Sequence, residues 1–229
     1  MVALSNSAAL VEGIRAVTVD PDESATFERA VAVALQEIPG AEFGGVSELT
    51  RASIRTRAAS DPRVQQLDQA QYDMNEGPCI TAADAEVPVI TCDELGADER
   101  WPTFGRTAAD FGVNSAISFA LFDGREKIGA LNLYARARAA FTTDAEEIGS
   151  LLAAHAAVVM AAGRKQANLT TALQTRDVIG QAKGILMERY KFDDRQAFET
   201  LIAVSQHTHR KLRDVADHLR ATGELPSFD

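Results

Sequence analysis

Apolar positions in residues 22–140 follow the period of short helices in some stretches and that of short strands in others. Phe27, Ala30 and Val31 share one face of a predicted helix, which Pro39–Gly40 ends. The clearest strand signal is a hairpin, in which two runs rich in Ile, Phe, Leu and Tyr flank Asp123–Gly124. These patterns predict an α+β domain, with an antiparallel sheet and helices before, between and after its strands.

One helical pattern runs from Phe141 to Tyr190 without a proline. It opens with a capping box, Thr143-x-x-Glu146. We expect one long linking helix, with Gly163 as the candidate position for a break. Its apolar stripe consists of Leu151, Val158, Ala162, Leu169, Ala172 and Ile179. The stripe has two interpretations: a parallel dimer seam that transmits a signal, or the buried face of a connecting helix that packs on its own domain.

Two shorter helices follow and complete a small three-helix bundle. Asp193–Asp194 caps the first of them. The helical period predicts the core positions Phe198, Leu201, Ile202 and Ser205, and then Leu212, Val215, Ala216 and Leu219. The chain therefore divides into an N-terminal lead at 1–21, an α+β domain at 22–162 that ends in the long helix, and a helical domain at 163–229.

Charge is distributed unevenly over the 229 residues. The net charge is −10, and all of it lies in residues 1–168, which carry 14 Lys+Arg and 24 Asp+Glu, whereas residues 169–229 carry 9 of each. The overall acidity argues against a nucleic-acid partner. The neutral tail can nevertheless gather its basic residues on one surface.

The sequence carries no pattern typical of catalysis, metal binding or membrane insertion. No run approaches the ~18 consecutive apolar residues of a membrane span, and the N-terminus lacks the basic start of a signal peptide. Cys79 and Cys92 have no CxxC spacing, which favours a reducing cytoplasm over a disulfide or zinc site. We find no GxSxG, Walker A, HExxH or paired-carboxylate arrangement. We therefore expect a cytoplasmic protein that is not an enzyme and has no evident cofactor.

Three pieces of the tail resemble the ANTAR domain, a three-helix RNA-binding output module of bacterial antitermination regulators. They are "QAKGILM", "AFETLIAVSQ" and "RKLRDVA", within residues 169–225. Residues 22–162 resemble a GAF domain of the type found ahead of ANTAR in actinobacteria, through "NEGPCITA", "DERWPTF", "GVNSAISFALF" and "GALNLYARARAAF". The resemblance implies a signal-sensing GAF-ANTAR homodimer, joined through the long helix. Such a dimer binds paired stem-loops in nascent leader RNA, which prevents a terminator hairpin and acts on RNA polymerase indirectly.

The ANTAR resemblance also implies an RNA-binding surface. Its candidate residues are Arg176, Gln181, Lys183, Gly184, Ser205, His209, Arg210 and Lys211. Arg176 and Lys183 are seven residues apart on one helix face, and glycine beside them lets a phosphate or base approach the backbone. The alternatives are a solvated lysine at 183 and a close helix–helix contact at Gly184.

The segment between the second and third helices is the other candidate contact. Arg210 and Lys211 are expected in the first turn of the third helix, where free N–H groups also favour phosphate. The alternative is a solvated basic turn. The family usually has asparagine where this chain has His209, and Ser205 matches the family but also fits a core residue bonded to a carbonyl.

In the GAF-like domain, candidate residues for lining a pocket are Cys79, Trp101, Phe104 and Phe119. They would hold an unknown small-molecule ligand, and the alternative for each is buried core. Cys79 could also be a redox-sensitive thiol. A different class of function stays open for the whole chain: a small-molecule sensor whose helical tail mediates dimerisation or binds a protein partner or DNA.

Overall fold

The computed structural model describes residues 10–20, 22–50, 53–84 and 87–226. Residues 1–9 and 21 of the predicted lead lie outside the described residues, as do the last three of the predicted helical domain. The chain divides into two compact units, Met1–Gly163 and Arg164–Asp229. Each unit is described below by itself.

The described part of the first unit is an α+β domain, as predicted. Before the long helix, its elements are α1 Glu23–Glu37, β1 Phe43–Leu49, β2 Ile54–Ala59, α2 Pro62–Met74, α3 Pro78–Asp84, β3 Val89–Cys92, a 3₁₀ turn at Leu95–Ala97, α4 Pro102–Asp110, β4 Ser115–Asp123 and β5 Glu126–Ala135. The strands form one antiparallel sheet in the order β2-β1-β5-β4-β3. Residues 10–16 are also helical.

Short-range signals set several of these boundaries. The Asp22 carboxylate accepts a hydrogen bond from the Ser24 N–H at 3.0 Å and so caps α1. At the predicted hairpin Asp123 pairs with Glu126, and Gly124 adopts a φ of 62°, which glycine tolerates. The predicted hairpin is therefore confirmed. In contrast, α3 was not predicted. β3 lies at the edge of the sheet, and its residues alternate between buried and partly buried.

Each face of the sheet is covered by its own core, because successive strand residues point to opposite faces. On β4, Ile117, Phe119 and Leu121 belong to the first core, which α1 and the N-terminal part of the long helix complete. Ala116 and Ala120 belong to the second core, which lies under α2, α3 and α4. Glycine at residue 149 of the long helix avoids a clash, because a Cβ there would lie 2.1 Å from Phe119 Cζ.

The long helix, α5, runs from Thr143 to Tyr190 without interruption. The break considered at Gly163 is therefore absent. The predicted capping partner Glu146 instead accepts a hydrogen bond from Thr91 Oγ1 at 2.8 Å, which ties the start of α5 to the edge strand.

By length and apolar composition alone, α5 could cross a membrane, since its most apolar stretch has a mean hydropathy of 1.3. However, 44% of that stretch is buried inside the protein. Leu152, Ala156 and Met160 of this helix belong to the first core. Packing in the first core thus accounts for part of the apolar stretch.

The described part of the second unit is a three-helix bundle made of the C-terminal part of α5, α6 Asp194–Thr208 and α7 Leu212–Thr222. A full capping box starts α6, in which the Asp193 side chain accepts from the Gln196 N–H and the Gln196 side chain accepts from the Asp193 N–H. The buried core is Ala182, Leu186, Ala197, Leu201, Val204, Val215, Ala216 and Leu219.

The predicted core face of α7 is confirmed, but that of α6 is wrong by one position. Ala197 and Val204 are buried beside Leu201, whereas Phe198 is 37% exposed and Ile202 and Ser205 are only partly buried. The buried face of α6 and the predicted face beside it both carry apolar residues at helical spacing. The sequence period therefore shows which side of α6 is apolar but does not identify the residues at the centre of that side.

Candidate functional site

An open groove of about 1070 Å³ on the second unit brings together three of the predicted RNA-binding residues, Arg176, Gln181 and Lys183. It lies between α5 and the start of α6. Its full lining is Ala172, Thr175, Arg176, Asp177, Ile179, Gly180, Gln181, Lys183, Asp194, Arg195 and Phe198. The α6 residues were not predicted as part of the site, because their contribution depends on how α6 packs beside α5.

Lys183 is the most enclosed cation in this groove. Its side chain is 21% exposed, and its ammonium forms an ion pair with Asp194 Oδ1. The same ammonium lies 5.9 Å from the centroid of the Phe198 ring. Lys183 therefore contacts two residues of α6, unlike a freely solvated helix lysine.

Gly180 and Gly184 present bare backbone to solvent. A Cβ built on either residue would meet no atom within 4 Å. The alternative of a close helix–helix contact at Gly184 therefore does not hold among the described residues. Neither glycine is required by packing inside the bundle, although each weakens the helix relative to alanine by ~1 kcal/mol.

The remaining predicted residues lie at the turn between α6 and α7, outside the groove lining. Arg210 and Lys211 are not in the first turn of α7 as expected, because that helix begins at Leu212 with Lys211 as its N-cap. Both side chains are exposed, and neither forms an ion pair with any other described residue. The pair remains close to free helix N–H groups, which favour anions.

His209 ends α6 in the left-handed conformation, with a φ of 52°. Asparagine, aspartate and histidine are enriched in this conformation among non-glycine residues, so the backbone accommodates either histidine or the family's usual asparagine. Ser205 stabilises the same turn, since its hydroxyl donates to the Arg210 carbonyl at 2.6 Å. The structure thus gives Ser205 a role in positioning the basic turn.

The first unit contains a buried polar cluster on the sheet face covered by α2 and α3, which sequence patterns did not indicate. At its centre is Asp68, which is fully buried. The Asp68 carboxylate accepts hydrogen bonds from Tyr134 Oη at 2.9 Å and from Thr56 Oγ1 at 2.8 Å. The cluster, called the Asp68 cluster below, also includes Ser47, Gln71, Tyr72, Cys79, Ser118 and Asn132.

Burial controls the protonation of this cluster. Desolvation raises the pKa of Asp68 to about 6, although the hydrogen bonds that it accepts oppose the rise. Burial and the nearby Asp68 charge raise the pKa of the Cys79 thiol to about 12. Burial and the adjacent Asp98 raise the pKa of Cys92 to about 12 as well. Both cysteines are therefore protonated at neutral pH, which disfavours nucleophilic or redox chemistry.

The four predicted pocket residues of this unit are all buried, and the structure does not bring them to one site. Trp101 and Phe104 lie in the second core, and the Trp101 indole N–H donates to Thr81 Oγ1 at 2.9 Å. Phe119 lies in the first core, on the opposite face of the sheet. Cys79 belongs to the Asp68 cluster. Phe119 is therefore separated by the sheet from Trp101 and Phe104.

Two family models match this chain. A GAF domain model matches residues 20–161, and an ANTAR domain model matches residues 167–219. Among curated proteins, none matches the sequence.

Solved structures show a shared fold at low sequence identity. The free methionine-R-sulfoxide reductase of Neisseria meningitidis, in complex with its substrate, is 17% identical with a TM-score of 0.55, over 70% of this chain and 91% of that chain. The GAF domain of an Acinetobacter phosphoenolpyruvate-protein phosphotransferase is 14% identical with a TM-score of 0.57, over 72% of this chain and 98% of that chain.

The α+β unit and the helical unit therefore define a two-domain regulatory protein, since GAF and ANTAR domains are both regulatory. In chain order, a GAF domain precedes an ANTAR domain. The chain belongs to the GAF-ANTAR regulators, and its ANTAR domain indicates RNA binding.

Proposed function

We propose that this protein is an RNA-binding transcription antitermination regulator. Its GAF domain senses a small-molecule signal, and a dimer of its ANTAR domain binds paired stem-loops in nascent leader RNA. Binding favours the stem-loops over a terminator hairpin, so transcription continues and RNA polymerase is affected through the transcript. The observation that carries the proposal is the groove in which Arg176, Gln181 and Lys183 surround the bare backbone of Gly180.

The groove chemistry suits an RNA loop better than a DNA duplex. Specific RNA recognition uses splayed bases, with hydrogen bonds and stacking, and with basic side chains on the phosphates. Duplex affinity scales with the number of phosphates neutralised, and Asp177 and Asp194 line the groove beside its cations. We assign Arg210 and Lys211, at the turn before α7, to further phosphate contacts, with Ser205 positioning them.

A parallel homodimer through α5 is the second part of the proposal. In the first unit Leu151 and Val158 are 58% and 66% exposed, and in the second unit Leu169 and Leu173 are 59% and 62% exposed. With Ala162, their sequence spacing is alternately seven and four, an 11-residue repeat that keeps them on one face of the helix and suits a right-handed pairing of two helices. Two protomers would supply the two domains that two stem-loops require.

We further propose that the protein is a cytoplasmic regulator rather than an enzyme. Its likeness to a sulfoxide reductase extends to the fold alone. Cys79 and Cys92 are buried and their pKa values are raised, whereas a nucleophilic cysteine requires an accessible thiolate.

The test is a selection from paired RNA hairpins with randomised six-nucleotide loops, using the full chain. We expect enriched sequences whose binding, measured by filter retention, weakens as salt rises. Lys183→Ala and Arg210→Ala should each weaken binding and flatten the log–log salt slope by about 0.7 per lost phosphate contact. Arg220→Ala is the matched control, because Arg220 pairs with Asp217 on α7 and does not line the groove.

The RNA proposal is overturned if no loop sequence is enriched, or if duplex DNA competes for the protein as well as the RNA does. A stable dimer in sedimentation together with no RNA enrichment would instead favour the alternative of a sensor whose tail serves dimerisation. In vitro transcription through a leader carrying a selected hairpin pair and a terminator tests antitermination itself. We expect read-through to rise with added protein.

A further inference from the structure

Phe198 occupies an unusual position for a large apolar side chain of a small bundle. Its side chain is 37% exposed, although α6 buries Ala197, Leu201 and Val204 next to it. The apolar side chains that pack against this core are Val178, Ile179, Ile185, Phe192, Leu212 and Leu225. Phe198 is more exposed than these partly buried residues, so packing in the bundle leaves more than a third of it open to solvent.

The ring lies instead in the groove of the second unit, among groups that recognise nucleotides. Arg176, Lys183 and Arg195 are the cations of the groove lining. Asp177 and Asp194 are its anions. Lys183 pairs with Asp194 and Arg195 pairs with Glu199 at 3.3 Å, whereas Arg176 has no ion pair among the described residues. An aromatic face beside guanidinium and ammonium groups fits a base and its phosphates.

We propose that Phe198 is the stacking platform for one unpaired base of a bound RNA loop. This inference rests on the proposed RNA-binding function and adds a residue and a contact to it. Arg176 and Arg195 hold the phosphates on either side of the base, and the bare backbone at Gly180 leaves room for the sugar.

When the base enters, Lys183 leaves Asp194 and pairs with an RNA phosphate instead. The Lys183 ammonium is the end of a flexible side chain, and in the free protein it lies over the Phe198 ring. Its partner Asp194 has a side chain that is 74% exposed, so the ion pair between them is worth little. A phosphate oxygen replaces the carboxylate, and the ring face becomes available to the base.

The test is a double-mutant cycle between Phe198 and the loop bases. It uses the full chain and a hairpin pair that has been selected for binding to the wild-type protein. Each loop nucleotide is replaced in turn by an abasic one, and affinity is measured for wild type and Phe198→Ala. We expect Phe198→Ala to weaken binding of the intact RNA about tenfold, the effect of one base–aromatic stack. At one loop position, the abasic RNA should bind both proteins equally.

Three further variants separate stacking from a structural role. Phe198→Trp should retain affinity because it keeps a flat aromatic face, whereas Phe198→Leu should lose it although it keeps apolar volume. Tyr190→Ala is the matched control, because Tyr190 is an exposed aromatic of the same unit that stacks on Phe192 outside the groove. Its affinity should equal that of wild type.

The stacking inference is wrong if Phe198→Ala leaves the affinity unchanged while wild type binds, or if Phe198→Leu binds as wild type does. It is also wrong if Phe198→Ala weakens every abasic RNA equally. If wild type selects no RNA while Phe198→Ala abolishes a dimer in sedimentation, the groove is a protein interface and the proposed function fails as well. Circular dichroism of each variant confirms that it is folded.

Discussion

Replacing the exposed glycines of α5 by alanine should stabilise the protein and weaken its RNA binding. Gly180 and Gly184 lie inside a continuous helix, and neither has a positive φ. A Cβ at either position meets no atom within 4 Å. The substitution therefore causes no clash and restores the helix propensity that glycine lacks, about 1 kcal/mol at each site.

Hydrogen exchange of the amides around Ala182 and Leu186 measures this gain. Both side chains are fully buried in the bundle core, so their amides exchange through opening of the bundle. A gain of ~1 kcal/mol corresponds to exchange about fivefold slower in each variant. Local exchange is preferable to a single melting temperature, because α5 contributes residues to two compact units.

The same substitutions should lower RNA affinity, although they raise stability. If RNA approaches the backbone at these glycines, an added methyl group overpacks the contact at a cost of ~1–3 kcal/mol. We therefore expect filter-binding affinity to fall about tenfold for Gly180→Ala and Gly184→Ala. A protein that becomes more stable while binding less tightly cannot owe the loss to unfolding.

Gly163→Ala supplies the matched control on the same helix. Its Cβ would come no closer than 4.0 Å to Val19 Cγ1, and it lies outside the ANTAR match. It should slow local exchange by a similar factor and leave RNA affinity unchanged. The reasoning is refuted if Gly180→Ala and Gly184→Ala bind RNA as wild type does, or if either accelerates exchange.

Three further predictions concern the core, the dimer and pH. Gly149→Ala should lower the free energy of unfolding by ~1–3 kcal/mol in urea denaturation, because its Cβ would meet the Phe119 ring; an unchanged midpoint would contradict that packing. Leu169→Asp should convert a dimer to monomer in sedimentation velocity, whereas an intact dimer would exclude the α5 seam. Burial raises the pKa of Asp68 from its ordinary value of 3.8 to about 6, which means that the native state binds the proton more tightly than the unfolded chain. Stability should therefore fall by ~3 kcal/mol as pH rises from about 4 to 6, and Asp68→Ala should remove that pH dependence from urea unfolding.

Features whose determinants lie close together in sequence could be predicted. The hairpin at Asp123–Gly124 and the capped start of α6 at Asp193 each depend on residues within a few positions. The continuous helix from Thr143 to Tyr190 followed from helical spacing and the absence of proline. Domain identity came from the motifs, since periodicity alone gives only α+β followed by a bundle.

Features that depend on distant partners could not be predicted. Asn132 donates to Ser47 across 85 residues of sequence, so no local pattern marks the Asp68 cluster. Glu146 accepts from Thr91, 55 residues away, instead of completing the predicted capping box. Phe198 was placed in the core because its face of α6 is also apolar, and only the packing of α6 against its neighbours shows that Ala197 is inside.

The small core of the ANTAR unit would link the proposed RNA binding to the proposed dimerisation. Its buried residues include three alanines, Ala182, Ala197 and Ala216, and a unit of this size has only a few kcal/mol of stability from its core. Exposed glycines in α5 lower the stability of the folded unit further, whereas a dimer seam that buries Leu169 and Leu173 would raise it again. Because anything that binds the folded state stabilises it by mass action, a GAF signal that changes the dimer population would also change the fraction of ANTAR units competent for RNA. Regulation then requires no separate conformational pathway between the ligand and the groove. The apparent RNA affinity per protomer should rise with protein concentration in the range in which dimers form.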